Sequence, residues 1–257
     1  MVHSGNRETW MGATRIEFRL RMAIMTVIIT LGFCAPWIET WSLGRRIPLL
    51  EWLPLELSRL GLLRFSFATP VVIVLASLIA AAGTVLRVWG TAYLGYGTVH
   101  HTQMQAGAVM ADGPYRYLRN PLYVGGWFMV AAMAFIMPPS GALFAVPLIT
   151  VFFLRLILGE EAFLAGQFGE PYREYLRVVP RLFPRLRAGL PPAGHKPHWF
   201  VSVISELNPI GVFLTLAVLS WSYHYWLMIQ GILVSFGASL VVRAILMGKS
   251  AAGREAA

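Results

Sequence analysis

A chain of 257 residues in which 57% are hydrophobic and only 13% charged, with a mean hydropathy of +0.62, is too apolar for an ordinary soluble domain. Its formal charge of +9 is dispersed around apolar segments without a basic stripe or nucleic-acid motif, so anionic lipid headgroups, not nucleic acid, are the expected counter-charge. The single cysteine, Cys34, excludes an intrachain disulfide framework.

Taken in chain order, residues 1–21 carry Arg7, Arg15, Arg19 and Arg21 and lead into the apolar run 22–38. The first ten residues lack the order of a cleaved signal peptide, so this run is expected to remain as a span. Residues 39–69 mix Arg45, Arg46, Arg59 and Arg64 with Glu51 and Glu56 among Leu, Trp and Pro, the pattern of an interfacial segment. A second span is expected over 70–89, with Ser77 and Thr84 bonding to their own helix backbone and Arg87 at the interface. The connector 90–120 holds Gly90, Gly95, Gly97, Gly107 and Gly113 and has no helical period; its length points to a functional loop.

Two apolar runs, 122–137 and 142–158, flank Pro138-Pro139-Ser140-Gly141 and predict a tight helical hairpin. Beyond it a short helix from Gly159, a restart at Gly169-Glu170-Pro171, a second short helix through Arg177 and a Pro-rich linker are expected. The last apolar tract, 209–247, is too long for one crossing and predicts two spans turning at Tyr223-His224-Tyr225-Trp226. The expected architecture is an all-α polytopic membrane protein of about six transmembrane helices, divided into 1–69, a core over 70–190, and a linker with a C-terminal hairpin over 191–257. With the N-terminus inside, 17 of the 21 Lys and Arg fall on the inner side, which puts both termini and the two polar connectors in the cytosol.

The stretch DGPYRYLRNPLYVGG, 112–126, concentrates the polar chemistry. Asp112-Gly113-Pro114 is a turn signal, Asn120-Pro121 starts a helix, and Arg116, Arg119 and Asn120 cluster at its mouth. Because a short turn joins the hairpin helices, their far ends must be adjacent, which brings Arg119, Asn120 and Tyr123 toward Arg155, Glu160 and Glu161. Adjacent glutamates cannot face the same way on a helix. One is expected to be solvated or capping, and Glu160, nearer the membrane, is preferred for the pocket. Arginine on one wall, glutamate on another and tyrosines between suit a zwitterion bearing an aromatic group. His100-His101 and His195-x-x-His198 lack an accompanying carboxylate or thiol cluster, so no metal site is expected. Met129, Met133 and Met137, four apart, are read as one packed helix face.

GPYRYLRNPLYVGG followed by GEEAFLAGQFGEPYREYLRVVPRLFP resembles the isoprenylcysteine carboxyl methyltransferase family, within the integral-membrane methyltransferases that include phospholipid methyltransferases. The resemblance covers roughly 75–187. It implies S-adenosylmethionine as cofactor at the cytosolic helix ends and a lipid-like or otherwise hydrophobic small acceptor. The expected location of the chain is a bacterial inner membrane. The resemblance maps the cofactor site onto Gly113, Pro114, Tyr115, Arg119, Asn120, Pro121, Tyr123, Glu160, Glu161, Tyr172 and Tyr175, with Arg119, Glu160 and Glu161 closest to catalysis. Asn120 stands where the family often has His, which removes any His-based proton transfer. A nicotinamide-dependent membrane reductase of the sterol reductase type, and a non-catalytic scaffold or transporter subunit, are the alternative readings. The scaffold reading accounts for the spans but not for polar groups converging on one cytosolic end.

Overall fold

The computed structural model describes residues 12–36, 47–94 and 112–255, the last with backbone only at 243 and from 246 onward. Every α-helix and 3₁₀ turn among them belongs to one all-helical assembly, and no strand occurs among the described residues. The helices are α1 (Arg15–Arg19), α2 (Arg21–Cys34), α3 (Leu49–Arg59), α4 (Phe65–Leu94), α5 (Pro121–Ala134), α6 (Pro139–Phe168), α7 (Glu170–Val178), α8 (Trp199–Ser205), α9 (Leu207–Val218) and α10 (Tyr225–Glu255). Apolar stretches of this length fold as helices in lipid because only intrachain bonds can satisfy the backbone there.

Three helices, α4, α6 and α10, are long and apolar enough to cross a membrane; the pair α8–α9, bent by 68°, is a fourth candidate. The remaining two expected spans are the 14-residue apolar helices α2 and α5. The chain is thus a helical membrane protein, but helix length does not establish the count of six.

Helix α4 is the axis of the fold. Ala68, Val72, Ala76 and Ala80, spaced four apart, and then Gly83 and Thr84 form its buried ridge, while Val71, Leu78 and Val85 face outward. Its contact with α5 is closest at Gly83 and Gly125. A Cβ on either would lie 2.9 Å from the other's carbonyl oxygen, so the two backbones meet with no room for a side chain. On the other side of α5, α6 packs back as the predicted hairpin. The turn leaves the carbonyls of Phe135 and Met137 free to accept from the amides of Leu50 and Leu49, which are otherwise orphaned at the start of α3. Met129 and Met137 are buried and Met133 packs between the two core clusters they belong to.

Several boundaries differ from expectation. The expected interfacial segment contributes α3, but its end, from Phe65, already belongs to α4. The short helix expected from Gly159 is instead the last ten residues of α6, continuous with the span to Phe168. Nothing between 158 and 168 breaks a helix, and Gly169 ends it. Thr84 does not bond its own helix; its hydroxyl donates to the Pro209 carbonyl at 3.0 Å, whereas Ser77 does bond back to Ile73 at 2.8 Å. The turn before α10 falls where expected, with Tyr223 in the left-handed region at φ 52°.

Arg87 has a partner that the sequence did not reveal: it reaches Glu206, fully buried at the α8–α9 bend, through Nε at 2.6 Å and Nη2 at 3.0 Å. Thr91 donates to the same carboxylate at 2.6 Å, and Arg87 Nη1 donates to the Leu122 carbonyl at 3.3 Å. A charge in an apolar tract demands a counter-charge, and this pair ties the C-terminal helices to α4. Removing one partner leaves the other desolvated and alone, so Glu206→Ala is expected to destabilise by ~3–5 kcal/mol, read as a lower thermal midpoint in detergent. The double change Arg87→Met, Glu206→Leu should recover much of that loss.

Candidate functional site

The site forms where the open ends of the α5–α6 hairpin meet the end of α4. Asp112 enters in an extended conformation, and Gly113, at φ 53°, turns the chain into the 3₁₀ turn Gly113–Arg116 with Pro114 in its first turn. Glycine is required twice over: its φ suits no L side chain well, and a Cβ would fall 2.3 Å from the ring of Tyr93. Pro114 and Tyr115 are buried by that packing. Asn120 then precedes α5 with Pro121 as its first residue, but its side chain does not cap the helix.

The Asn120 side chain turns to Glu161 instead. Its Nδ2 donates to Glu161 Oε1 at 3.1 Å and to the Arg181 carbonyl at 3.3 Å. Arg119 Nη1 lies 3.3 Å from the same Oε1, and Arg181 donates to Oε2 from Nε at 3.0 Å and from Nη2 at 2.8 Å. Glu161, 5% exposed, is therefore the hub joining the start of α5, the body of α6 and the chain after α7. Glu160 faces another way and accepts from the Tyr123 hydroxyl at 2.9 Å; that ring sits edge-on to Phe153.

Helix α7 closes the aromatic side. Tyr172 and Tyr175, at i and i+3, are its buried stripe, joined by Val179 just past its end, against Leu164, Ala165 and Phe168. The Tyr172 and Tyr175 ring centroids are 5.6 Å apart, and the Tyr175 hydroxyl donates to the Tyr115 carbonyl at 2.9 Å. Burial, then the Glu161 and Glu160 charges, push the Tyr172 phenol well above its ordinary range; burial and Tyr172 do the same to Tyr175. Neither phenol ionises near neutral pH, so neither can serve as a base.

All eleven residues read from the sequence thus gather at one end of the bundle. Two details are corrected. Arg155 does not join them: it pairs with Glu17 at 3.0 Å, the residue that also closes a capping box with Thr14 at the start of α1. Neither glutamate is a solvated cap, because one is ringed by N–H donors and the other is held by Tyr123. His195 and His198 serve local bonds, the first to Asp112 and the second from its backbone to the Ala92 carbonyl. His100, His101, Gly95, Gly97 and Gly107 lie outside the described residues.

Sequence reasoning missed Arg181, which directly follows the Val-Pro that closes the second motif. It also missed the strap 180–198, whose backbone runs antiparallel to 112–119. Arg119 N donates to the Pro180 carbonyl, Arg185 N to Tyr117 O, and Gly189 N to Arg116 O. Asp112 locks the far end by accepting from the amides of Ala193, Gly194 and His195 and from His195 Nδ1 at 2.7 Å. The available signal was a lone aspartate facing a Gly-Pro-rich linker, whose amides lack helical partners.

Residues 71–171 match the family model of phospholipid methyltransferases. The central part of the chain is membrane methyltransferase-like. The match takes in every site residue from Gly113 to Glu161 and ends just before Tyr172. A 70-residue stretch is also 44% identical to the methanethiol S-methyltransferase of Crocosphaera subtropica (strain ATCC 51142 / BH68), covering 27% of this chain and 27% of that protein. The chain therefore matches about a quarter of the length of that relative. No solved structure matches the chain.

Burial alone would raise the Asp112 carboxyl, but the bonds from the His195 backbone and ring, Gly194 and Ala193 outweigh it and hold the group below its ordinary value. With a depressed folded value, the stabilisation is complete above the unfolded carboxyl value of about 4 and disappears as pH falls through the folded one. Amide exchange at 193–195, corrected for intrinsic rates, should stay slow from neutrality down to about pH 4 and accelerate below it. In Asp112→Asn it should be fast throughout.

Proposed function

We propose that this protein transfers the methyl group of S-adenosylmethionine to a hydrophobic or lipid-like small acceptor at the cytosolic face of a bacterial inner membrane, with residues 70–190 as the catalytic core. The carrying observation is the state of Arg119: its side chain is only 12% exposed, Glu161 orients it, and its Nε has no hydrogen-bond partner among the described residues. A buried guanidinium N–H left open beside aromatic rings fits a carboxylate-bearing ligand. The Tyr115 hydroxyl, in the preceding Gly113–Arg116 turn, is likewise buried and has no hydrogen-bond partner among the described residues.

S-adenosylmethionine supplies, when bound, a sulfonium methyl that needs no further activation. The protein's task is then positioning and exclusion of water. Arg119 would hold the carboxylate, with Glu161 fixing its plane; Gly113 and Pro114 shape the turn; and Asn120 and Pro121 set the start of α5. The Tyr115, Tyr123, Tyr172 and Tyr175 rings offer faces for a cation or an aromatic base. Glu161 already accepts from Asn120 and Arg181 and is ion-paired with Arg119, so it acts through them and not on the ligand. Glu160 is the carboxylate left to meet an ammonium group or to take a proton.

The acceptor sets the need for that proton transfer. A carboxylate needs none, whereas a thiol or amine must lose a proton as its bond to methyl forms. The similarity to a methanethiol S-methyltransferase favours a thiol among these. The basic bias of the inner segments supports cytoplasmic termini and a site on that side.

Calorimetry on the purified protein should detect S-adenosylmethionine binding, weakened about 10- to 100-fold in Arg119→Ala, the loss expected for a charge-assisted bond. Absence of binding to the intact protein would overturn the proposal. With a thiol acceptor, Glu160→Gln should depress kcat and flatten its rise with pH; with a carboxylate acceptor, kcat should keep its pH profile.

A further inference from the structure

The strap carries a feature that the site does not use. Residues 183–187, Phe-Pro-Arg-Leu-Arg, are all exposed; Phe183 is 83% and Leu186 102% accessible. Single exposed apolar residues are ordinary on protein surfaces. Here two large ones alternate with arginines in a segment that Pro184 keeps out of a helix, and neither Arg185 nor Arg187 makes an ion pair among the described residues. Farther along, Phe200 and Trp199 open α8 at 79% and 49% exposure, with Lys196 exposed before them.

The depth of this segment is fixed by Arg181. Its guanidinium grips Glu161, three residues beyond Leu158, where the apolar run 142–158 of α6 gives way to Gly159 and the glutamate pair. Three residues advance a helix by about 4.5 Å, so the strap lies at the level of the headgroups rather than out in the aqueous phase. Apolar side chains with interleaved arginines at that level match an interfacial anchor, the aromatic or aliphatic groups entering the acyl boundary and the cations meeting anionic headgroups. The +9 charge of the chain complements such a surface, and each nearby basic residue strengthens attachment about fivefold.

We propose that 183–187 is a bilayer-contact element that seats Phe183 and Leu186 among the headgroups and binds anionic phospholipid through Arg185 and Arg187. The same strap is bonded to the Gly113–Arg116 turn and, through Arg181, to Glu161, so lipid contact steadies the wall of the candidate site. The inference rests on the membrane character of the chain and not on methyl transfer.

The test uses full-length protein with Cys34→Ser and Leu186→Cys, labelled with the environment-sensitive fluorophore NBD and placed in nanodiscs of phosphatidylcholine with or without phosphatidylglycerol. Blue-shifted emission, quenched by lipids carrying a shallow nitroxide and protected from aqueous iodide, is expected. The lipid quenching should grow with phosphatidylglycerol, and Arg185→Gln with Arg187→Gln should abolish that increment. Phe183→Cys provides an independent reading at a second exposed position. Water-like emission quenched by iodide would overturn the proposal, as would blue-shifted emission quenched by neither agent, which would mean that protein, from this chain or a second copy, covers the segment. Calorimetry with S-adenosylmethionine on the same samples separates this outcome from the fate of the methyl-transfer reading.

Discussion

The arrangement at the cytosolic end depends on the neutralisation of one carboxylate. Glu161 lies on a membrane helix, 5% exposed, where an uncompensated charge costs several kcal/mol. It is tolerable only because Asn120 and Arg181 donate to it and Arg119 pairs with it as a counter-charge. Those three residues belong to segments separated by some sixty positions, so satisfying one desolvated group brings together the entry to α5, the end of α6 and the start of the strap. Positioning of Arg119 follows as a by-product. Its Nη1 is occupied by Glu161 and its Nε points elsewhere, which gives the guanidinium both an anchor and a free donor.

The Arg87–Glu206 pair repeats the same logic for the C-terminal helices. Without it, α8 and α9 would be tied to α4 only by the Thr84–Pro209 and Ser202–Val88 hydrogen bonds and by apolar contacts, which in lipid carry little preference for protein over acyl chain. A buried bidentate pair, supplemented by Thr91 and by the Thr84–Pro209 bond, fixes both where the bend lies and which face of α4 it meets. The two clusters lie close to each other: Arg87 also donates to the Leu122 carbonyl, only two residues beyond Asn120.

Between these clusters runs the strap, and its composition explains its course. Prolines at 180, 184, 191, 192 and 197 prevent a helix, so its amides must find partners elsewhere. They find them on the backbone of 92 and 116–117 and on Asp112, which converts a Pro-rich linker into a wall of the site with Phe183 and Leu186 turned outward and Leu190 packed against the tyrosines of α7.

Much of this was legible in the sequence. Apolar runs announced the helices, Pro138 to Gly141 announced the hairpin, and the paired motifs announced which polar residues would meet, because a hairpin with a short turn leaves its other ends no choice. Local chemistry was enough for Gly113 and Pro121, and the family resemblance supplied Tyr172 and Tyr175. What remained hidden was the pairing of charges. Nothing in the order of residues says that Arg87 turns inward to Glu206 or that Arg155 leaves the site for Glu17. Nor does it say that Arg181, past the end of the motif, completes the shell around Glu161. The cost of a buried charge depends on its three-dimensional surroundings, so only the packed helices decide which arginine answers which carboxylate.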